Sequence, residues 1–295
     1  GTHRGPTCDT HQKLLHAAAG QLFQHARLQM NRYKHIVAEL GYSRAARISD
    51  PRIAEWFGIY AAPPGWYGFP PALLPLLSDG SLPSYLGLWK HWFVRREASF
   101  TELSVSDGHQ AREIARTDQQ FAELMVARLI VARDGIDADV RALAEILEVD
   151  DLDRIDRVTL ETGDEAKGLR SLPAFVEKTP LASSILAEYD GDFPTPKRSQ
   201  PRHCCYFEYD RELFQTLPDK PDWLDPGSEK PSLFHHFLAQ GDFASAWRTL
   251  NSTGWLYPQA AQAFQDLILR SDTSGILARI AEIWISQASE YDTGY

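Results

Sequence analysis

His203, Cys204 and Cys205 stand side by side, with Glu208 and Asp210 close behind, and they form the most chemical-looking cluster in this chain of 295 residues. The chemistry to weigh is metal binding or thiolate attack, for which imidazole, thiol and carboxylate are the usual donors. A strand over 203–209 puts His203 and Cys205 on one face and Cys204 on the other, so at most two of the three reach one ion. No second paired-ligand element occurs elsewhere in the sequence. Buried cysteines in a core strand are therefore the expectation, with a hydrolase using His203 and Cys205 as the enzymatic alternative.

The run Ser106, Asp107, Gly108, His109 contains the three residue types of a hydrolytic triad. They fall in one turn, whereas a working triad converges from separate elements, and Gly108 reads better as the turn residue. His109 is kept as the second residue that an enzymatic alternative could use. His235 and His236 are adjacent on a helix, where neighbours point about 100° apart, and the i, i+4 pair with an intervening glutamate that zinc proteases need is absent. There is no Gly-x-Ser-x-Gly elbow, phosphate-binding glycine loop or dinucleotide fingerprint. Glu102 with Asp107, or the carboxylates over 148–156, lack the glycine and spacing of a calcium loop. The expectation is a protein with no catalytic residues, no metal and no cofactor.

Charge is more informative than motifs. The net charge is -10, but residues 1–100 carry 6 acidic against 11 basic side chains, 101–195 carry 21 against 10, and 196–295 carry 13 against 9. An acidic middle third repels phosphate backbones and attracts cations, so nucleic acid is not expected as a partner and a basic protein is. Asp150, Asp151, Asp153 and Asp156 are the densest part of that acidity and are the candidate partner contacts. The 3 cysteines suggest no disulfide framework, no apolar run approaches the roughly 18 residues of a membrane span, and the start of the chain lacks a secretory signal. A cytoplasmic protein is expected.

The elements that must hold these residues can be read from periodicity and punctuation. Residues 1–29, which precede the first methionine, Met30, read as an extension with one short helix, either native or foreign to the protein. From 31 a helix buries Tyr33, Ile36, Val37 and Leu40 and stops at Gly41. Asp50 caps a second helix, with Pro51 in its first turn and Ile53, Trp56 and Phe57 buried. Prolines make 61–71 an ordered irregular loop. The stretch 72–77 reads as one or two helical turns, ended by Asp79 and Gly80. Strands over 85–94 and 100–105 form a hairpin that turns at 95–99. Thr117 or Asp118 caps the clearest helix, which ends at Asp134 and Gly135, and a second runs over 137–147. The acidic run that follows is solvated, with 158–161 as a strand candidate. A polar, proline-containing linker covers 190–200. Four helices follow at 233–239, 243–250, 260–269 and 276–289. The chain thus divides into the extension 1–29, an α+β domain over 30–195, and a strand with a helical region over 196–295 packing on it. The fold class is α+β, a central mostly antiparallel sheet flanked by helices, with a helical C-terminal region.

The stretch 63–96 holds Trp66, Trp89 and Trp92, with Trp56 just upstream, from a total of 8 tryptophans. Most of these fill the core between the hairpin and the first helices. The exception is the tip Gly65, Trp66, Tyr67, Gly68, whose flanking glycines add nothing to a core. Exposed aromatics of this kind mark binding surfaces, so Trp66 and Tyr67 join the aspartates as candidate partner-binding residues.

In the order of its parts, the capped helix DPRIAEWFG, the segment FPPALLPLLSDG, the strand YLGLW and the helix DQQFAELMVARLI, the chain resembles the SUKH superfamily of Smi/Knr-type proteins over about residues 31–147. Phe69, Pro70 and Pro71 replace the Leu-Pro that commonly leads the short helix in that group, and the last 100 or so residues have no counterpart. The resemblance implies an α+β fold without catalytic residues, often acting as an immunity protein in a toxin–antitoxin pair. The resulting expectation is a non-enzymatic protein that binds and neutralises a cognate, basic toxin. The alternatives are the hydrolase named above and a regulatory scaffold whose C-terminal helices dock another protein.

Overall fold

The structure is a computed structural model that describes residues 32–59, 68–79, 84–106, 108–162, 165–183, 221–225, 227–288 and 293–295. The expected strand over 203–209, with His203 and Cys205, lies outside the described residues, as does the Trp66 and Tyr67 tip. Helix α1 covers 32–39, buries Tyr33, Ile36 and Val37, and is stopped by Gly41 at φ 95°. Helix α2, Ser43–Arg47, has no cap of its own. The carboxylate of Asp118 takes that role from a distant element, accepting from Arg44 N at 3.0 Å and Ala45 N at 2.9 Å. Helix α3, Pro51–Trp56, begins as its sequence dictates, with Asp50 accepting from Arg52 N and Pro51 in the first turn.

Four strands, β1 Leu73–Asp79, β2 Ser84–Trp89, β3 Ser99–Ser104 and β4 Gln110–Ala115, pair in sequence order as an antiparallel sheet. Strand β1 corrects the helical reading of 72–77. Leu73, Leu74, Leu76 and Leu77 are all buried, so there is no alternation to betray a strand, and a short continuous apolar run has no readable period. Pro75 has no N–H for a ladder, which an edge strand tolerates, and the register slips between Pro75 and Leu77. Opposite this irregularity lies Gly87, where a Cβ would come within 2.3 Å of the Leu74 carbonyl. The expected hairpin exists as the β2–β3 pair, but β2 stops at Trp89 and residues 90–98 form a longer connection in place of a tight turn. Strand β4 has no strand signature in its sequence, QAREIA, which favours helix, and it buries Glu113 alongside Ala111, Ile114 and Ala115.

Helix α4, Asp118–Arg133, is capped by the Thr117 hydroxyl and ends at Asp134, in the left-handed region at φ 56°. Helix α5, Ala138–Leu147, has Asp137 as its cap. Helix α6, Leu152–Thr162, replaces the strand expected at 158–161. Leu152, Ile155 and Val158 recur at helical spacing and pack toward the core, which overrides the local β preference of a Val-Thr-Leu run. Helix α7, Glu165–Leu169, and single turns at Pro173–Phe175, Leu181–Ser183 and Asp222–Leu224 complete this part. Four more helices follow: α8 Lys230–Ala239, α9 Phe243–Leu250, α10 Tyr257–Arg270 and α11 Ile276–Ala288. Helices α8 and α10 start earlier than their apolar runs suggest, since each accommodates a proline in its first turn.

The sheet is covered on both faces. On one, Phe100 of β3 stacks on Phe121 of α4 with centroids 4.3 Å apart and meets Tyr42 edge-on. On the other, Tyr85 of β2 packs on Phe69, which packs on Tyr33 of α1. Helix α1 in turn carries α11: Arg32 bonds Glu282 at 3.0 Å, the Tyr33 hydroxyl donates to Gln287 at 3.2 Å, and Glu39 pairs with Arg279. Trp284 of α11 donates to the Phe69 carbonyl at 2.8 Å. Among the described residues, buried hydrophobic side chains of the sheet and of the helices around it form one continuous cluster, with Trp223 and Leu224 as a small second one. Among the described residues, no helix is long and apolar enough to cross a membrane.

Candidate functional site

The corner between α5 and α6 turns the acidic run outward. Glu148 ends α5 in the left-handed region at φ 54°, and its carboxylate meets Arg47 at 2.6 Å and Arg44 at 3.7 Å, which fastens the corner to α2. Hydrogen bonding from Arg47, aided by its charge, holds the Glu148 carboxyl below its ordinary pKa. Val149 is then buried, and Asp151 at φ 56° accepts through its carbonyl from Arg154 N and Ile155 N to start α6. Aspartate tolerates this left-handed conformation better than most side chains. Because Val149 and Ile155 are anchored in the core, Asp150, Asp151 and Asp153 between them face solvent.

Those three carboxylates make no ion pair among the described residues, whereas Glu148 beside them is neutralised by two arginines. Asp156, expected on the same surface, is different. It is half-buried, and its Oδ1 is removed from solvent with no hydrogen-bond partner. Asp153 and Asp156 stand three residues apart on α6, yet only the first is exposed. The sequence run does not distinguish them because solvated and inward positions of a helix differ only by phase.

The other sequence candidates are placed as follows. His109 lies half-buried in the turn before β4 at φ 60°, and burial pushes its pKa down to about 4, so the ring is neutral at ordinary pH. Asp107, set beside Glu102 in the sequence reading, lies outside the described residues. Glu102 accepts from Arg128 Nη2 at 3.3 Å, and Arg128 also forms a two-pronged bond to Glu165 at 3.0 and 3.1 Å. Burial alone would lower the Arg128 pKa, but the two carboxylates more than offset it and hold the guanidinium charged. His235 and His236 are exposed on α8. Trp89 is core, donating to His91 Nε2 at 3.1 Å, and Trp92 is half-buried under the Lys90 ammonium at 4.8 Å. Among the described residues, no group of three His, Cys, Asp or Glu side chains sits close enough to hold a metal ion.

The residues that pattern reading missed are internal. Lys230, at the start of α8, is buried and donates to the carbonyls of Trp223 at 2.9 Å and Asp225 at 2.8 Å, anchoring the 221–225 segment. Burial lowers its pKa to about 8. A lysine in a sequence reads as surface, and only the fold brings two carbonyls to it. Compared with protein-family models, with curated proteins and with solved structures, the chain matches none.

Proposed function

We propose that this chain is a non-enzymatic binding protein, an immunity protein that neutralises a cognate basic toxin by direct contact through the α5–α6 corner. The observation that supports this reading is the uncompensated charge of Asp150, Asp151 and Asp153, exposed together on a backbone that core anchors on either side hold rigid. Clustered carboxylates without internal counter-ions carry a local field of one sign. Such a field accelerates encounter with a cationic partner and disfavours acidic ones. The immunity role itself comes from the resemblance to SUKH proteins and from the acidic middle third of the chain.

The test is co-expression with secreted toxins encoded beside the gene, scored by survival and co-purification. Where a toxin is neutralised, the combination Asp150→Lys, Asp151→Asn and Asp153→Lys is expected to slow association about 10-fold or more at low salt and to flatten its dependence on ionic strength. Asparagine is chosen at 151 because it tolerates the left-handed backbone there. If no toxin is neutralised or captured, the immunity reading fails. If one is captured and the charge variant binds as fast as the parent, the corner is not the contact.

A further inference from the structure

Residues 90–98, which join β2 to β3, carry three basic side chains and one acidic one on a chain whose net charge is -10. The acid, Glu97, is taken up by Lys178 at 2.7 Å, and Arg96 is buried. That leaves Lys90 and Arg95. Among the described residues, neither side chain has a carboxylate or hydrogen-bond partner. Arg95 is exposed, while the Lys90 ammonium is half-buried over Trp92, 4.8 Å from the ring centroid. Burial lowers the Lys90 pKa with no carboxylate to oppose it. Such a cation gains more from an arriving anion than one in open water, because attraction strengthens as the dielectric falls.

Phe93 stands between these two cations in the chain. Its φ of 66° is a left-handed conformation that a bulky side chain adopts only under strain. The ring is nevertheless 36% exposed, so core burial alone does not account for the arrangement. Helix α9 holds it there: Phe93 meets Phe243 with centroids 5.8 Å apart and Trp247 edge-on at 6.5 Å. Trp247 is fully buried and Phe243 half-buried, so the open parts of Phe93 and Phe243 make an apolar ledge. Lys90 and Arg95 lie three and two residues from Phe93, which keeps both Cα atoms within about 11 Å of it. The acid on the α9 side, Asp242, is already engaged, its carboxylate accepting from Ser245 N at 3.0 Å.

We infer that the 90–95 connection and Phe243 form a docking surface for an acidic peptide segment of a partner protein, its carboxylates on Lys90 and Arg95 and an apolar side chain on Phe93. The planar Arg95 guanidinium suits a two-pronged bond to a carboxylate, and the Lys90 ammonium acts as a point charge. A nucleic-acid strand fits less well. It stacks bases on open aromatic faces, and one face of the half-buried Trp92 is taken by Lys90. It also brings a row of phosphates that the acidic middle third repels, whereas a peptide needs only two carboxylates. The surface shares no residue with the α5–α6 corner, so its test stands apart from the toxin-neutralising reading.

The experiment is calorimetric titration of the full chain with the capped peptide DELFDE. Its controls are NQLFNQ, which lacks the charge, DEGGDE, which lacks the apolar pair, and a ten-residue oligothymidylate. DELFDE is expected to bind saturably at one site with Kd of ~100 μM or tighter, and each control at least 10-fold more weakly. Lys90→Gln combined with Arg95→Gln should weaken DELFDE binding at least 10-fold. Phe93→Gly should do the same, and glycine adopts φ 66° without strain. The glutamine pair breaks no ion pair or hydrogen bond among the described residues, so it carries the test should Phe93→Gly loosen the contact with α9. Melting curves establish which variants are folded. Absence of saturable DELFDE binding, equally tight binding of NQLFNQ or DEGGDE, or binding unchanged in either folded variant would each overturn the inference. Tighter binding of the oligothymidylate would overturn it in favour of single-stranded nucleic acid.

Discussion

His109 combines a left-handed backbone, φ 60°, with a ring whose burial lowers its pKa from 6.5 to about 4. The unfolded chain takes up a proton on this ring near pH 6.5 and the native one only near pH 4, so the unfolded state binds more protons across that window. Stability from this group is therefore full above pH 6.5, falls as pH drops from 6.5 to 4, and levels off below. The full loss is about 3–4 kcal/mol, from a shift of 6.5 to about 4 at about 1.4 kcal/mol per pKa unit. His109→Asn keeps a residue that accepts the left-handed region and removes the titration. Denaturant unfolding at pH 7 and pH 4.5 should show a smaller acid loss for the variant; identical losses would mean that the native ring is already charged at pH 4.5. The turn at Gly108 was legible in the sequence, but the neutrality of His109 was not, because burial is a property of what packs around it.

Among elements, α4 is the organiser of its side of the sheet. Its first turn does three jobs. Thr117 caps it, Asp118 caps α2, and Gln120, with no exposed surface, accepts from Arg116 N at 2.7 Å and donates to the carbonyls of Ala174 at 2.8 Å and Lys178 at 2.7 Å. Gln120→Leu retains the approximate volume and leaves one donor and two acceptors in need of new partners. The expected cost is about 2–4 kcal/mol, at about 1–3 kcal/mol for each buried group left unsatisfied. Amide exchange measured by mass spectrometry should rise first over 173–179, the segment Gln120 holds. Uniform protection across that segment would show that Gln120 is not its clamp. The cap at Thr117 was legible because Thr or Asp before an apolar helix is a strong local signal. The partner segment was not, since it lies more than fifty residues away and carries no pattern that points back.

At the scale of the whole molecule, the sheet and the C-terminal helices share one core. Asn251, at the end of α9 and fully buried, accepts from Ala72 N at 2.6 Å and donates to the Trp247 carbonyl at 2.8 Å. A single amide thus ties the lead into β1 to the helical layer. Asn251→Ala orphans the buried Ala72 N–H on the sheet side, at about 1–3 kcal/mol, and takes the side-chain donor from the Trp247 carbonyl, which keeps its bond from the Asn251 backbone N–H at 3.1 Å. Because the buried cluster is continuous, the loss should register equally in exchange rates of β1 and of α9. A loss confined to α9 would mean that the two parts unfold separately. The same continuity bears on a scaffold whose C-terminal helices act alone. Removing α8 to α11 would strip Trp284 from Phe69 and uncover α1, so those helices are part of the fold that surrounds the sheet.

Sequence alone determined what depends on neighbours along the chain: the cap at Asp50, a cap at Thr117 or Asp118, the glycine stop after α1, the hairpin that joins the run from 85 to the run from 100, the α+β class, and the placement of negative charge in the middle third. Tertiary structure decided whatever depends on contact across the chain. It made LLPLL an edge strand, because burial on both faces erases period. It made QAREIA a strand, because an open edge of β3 outbids helix propensity. It made the run near Val158 a helix, because its apolar residues meet the core at helical spacing. The acidic run followed the same division. Its charge was legible residue by residue, but only the fold separated Asp150, Asp151 and Asp153, which face water, from Asp156, which is half-buried with its Oδ1 out of solvent. A cavity of about 180 Å³ beside Arg128 belongs wholly to the second group, since β1, β2, β3, α4 and the residues that follow α3 each contribute to its wall and none signals it alone.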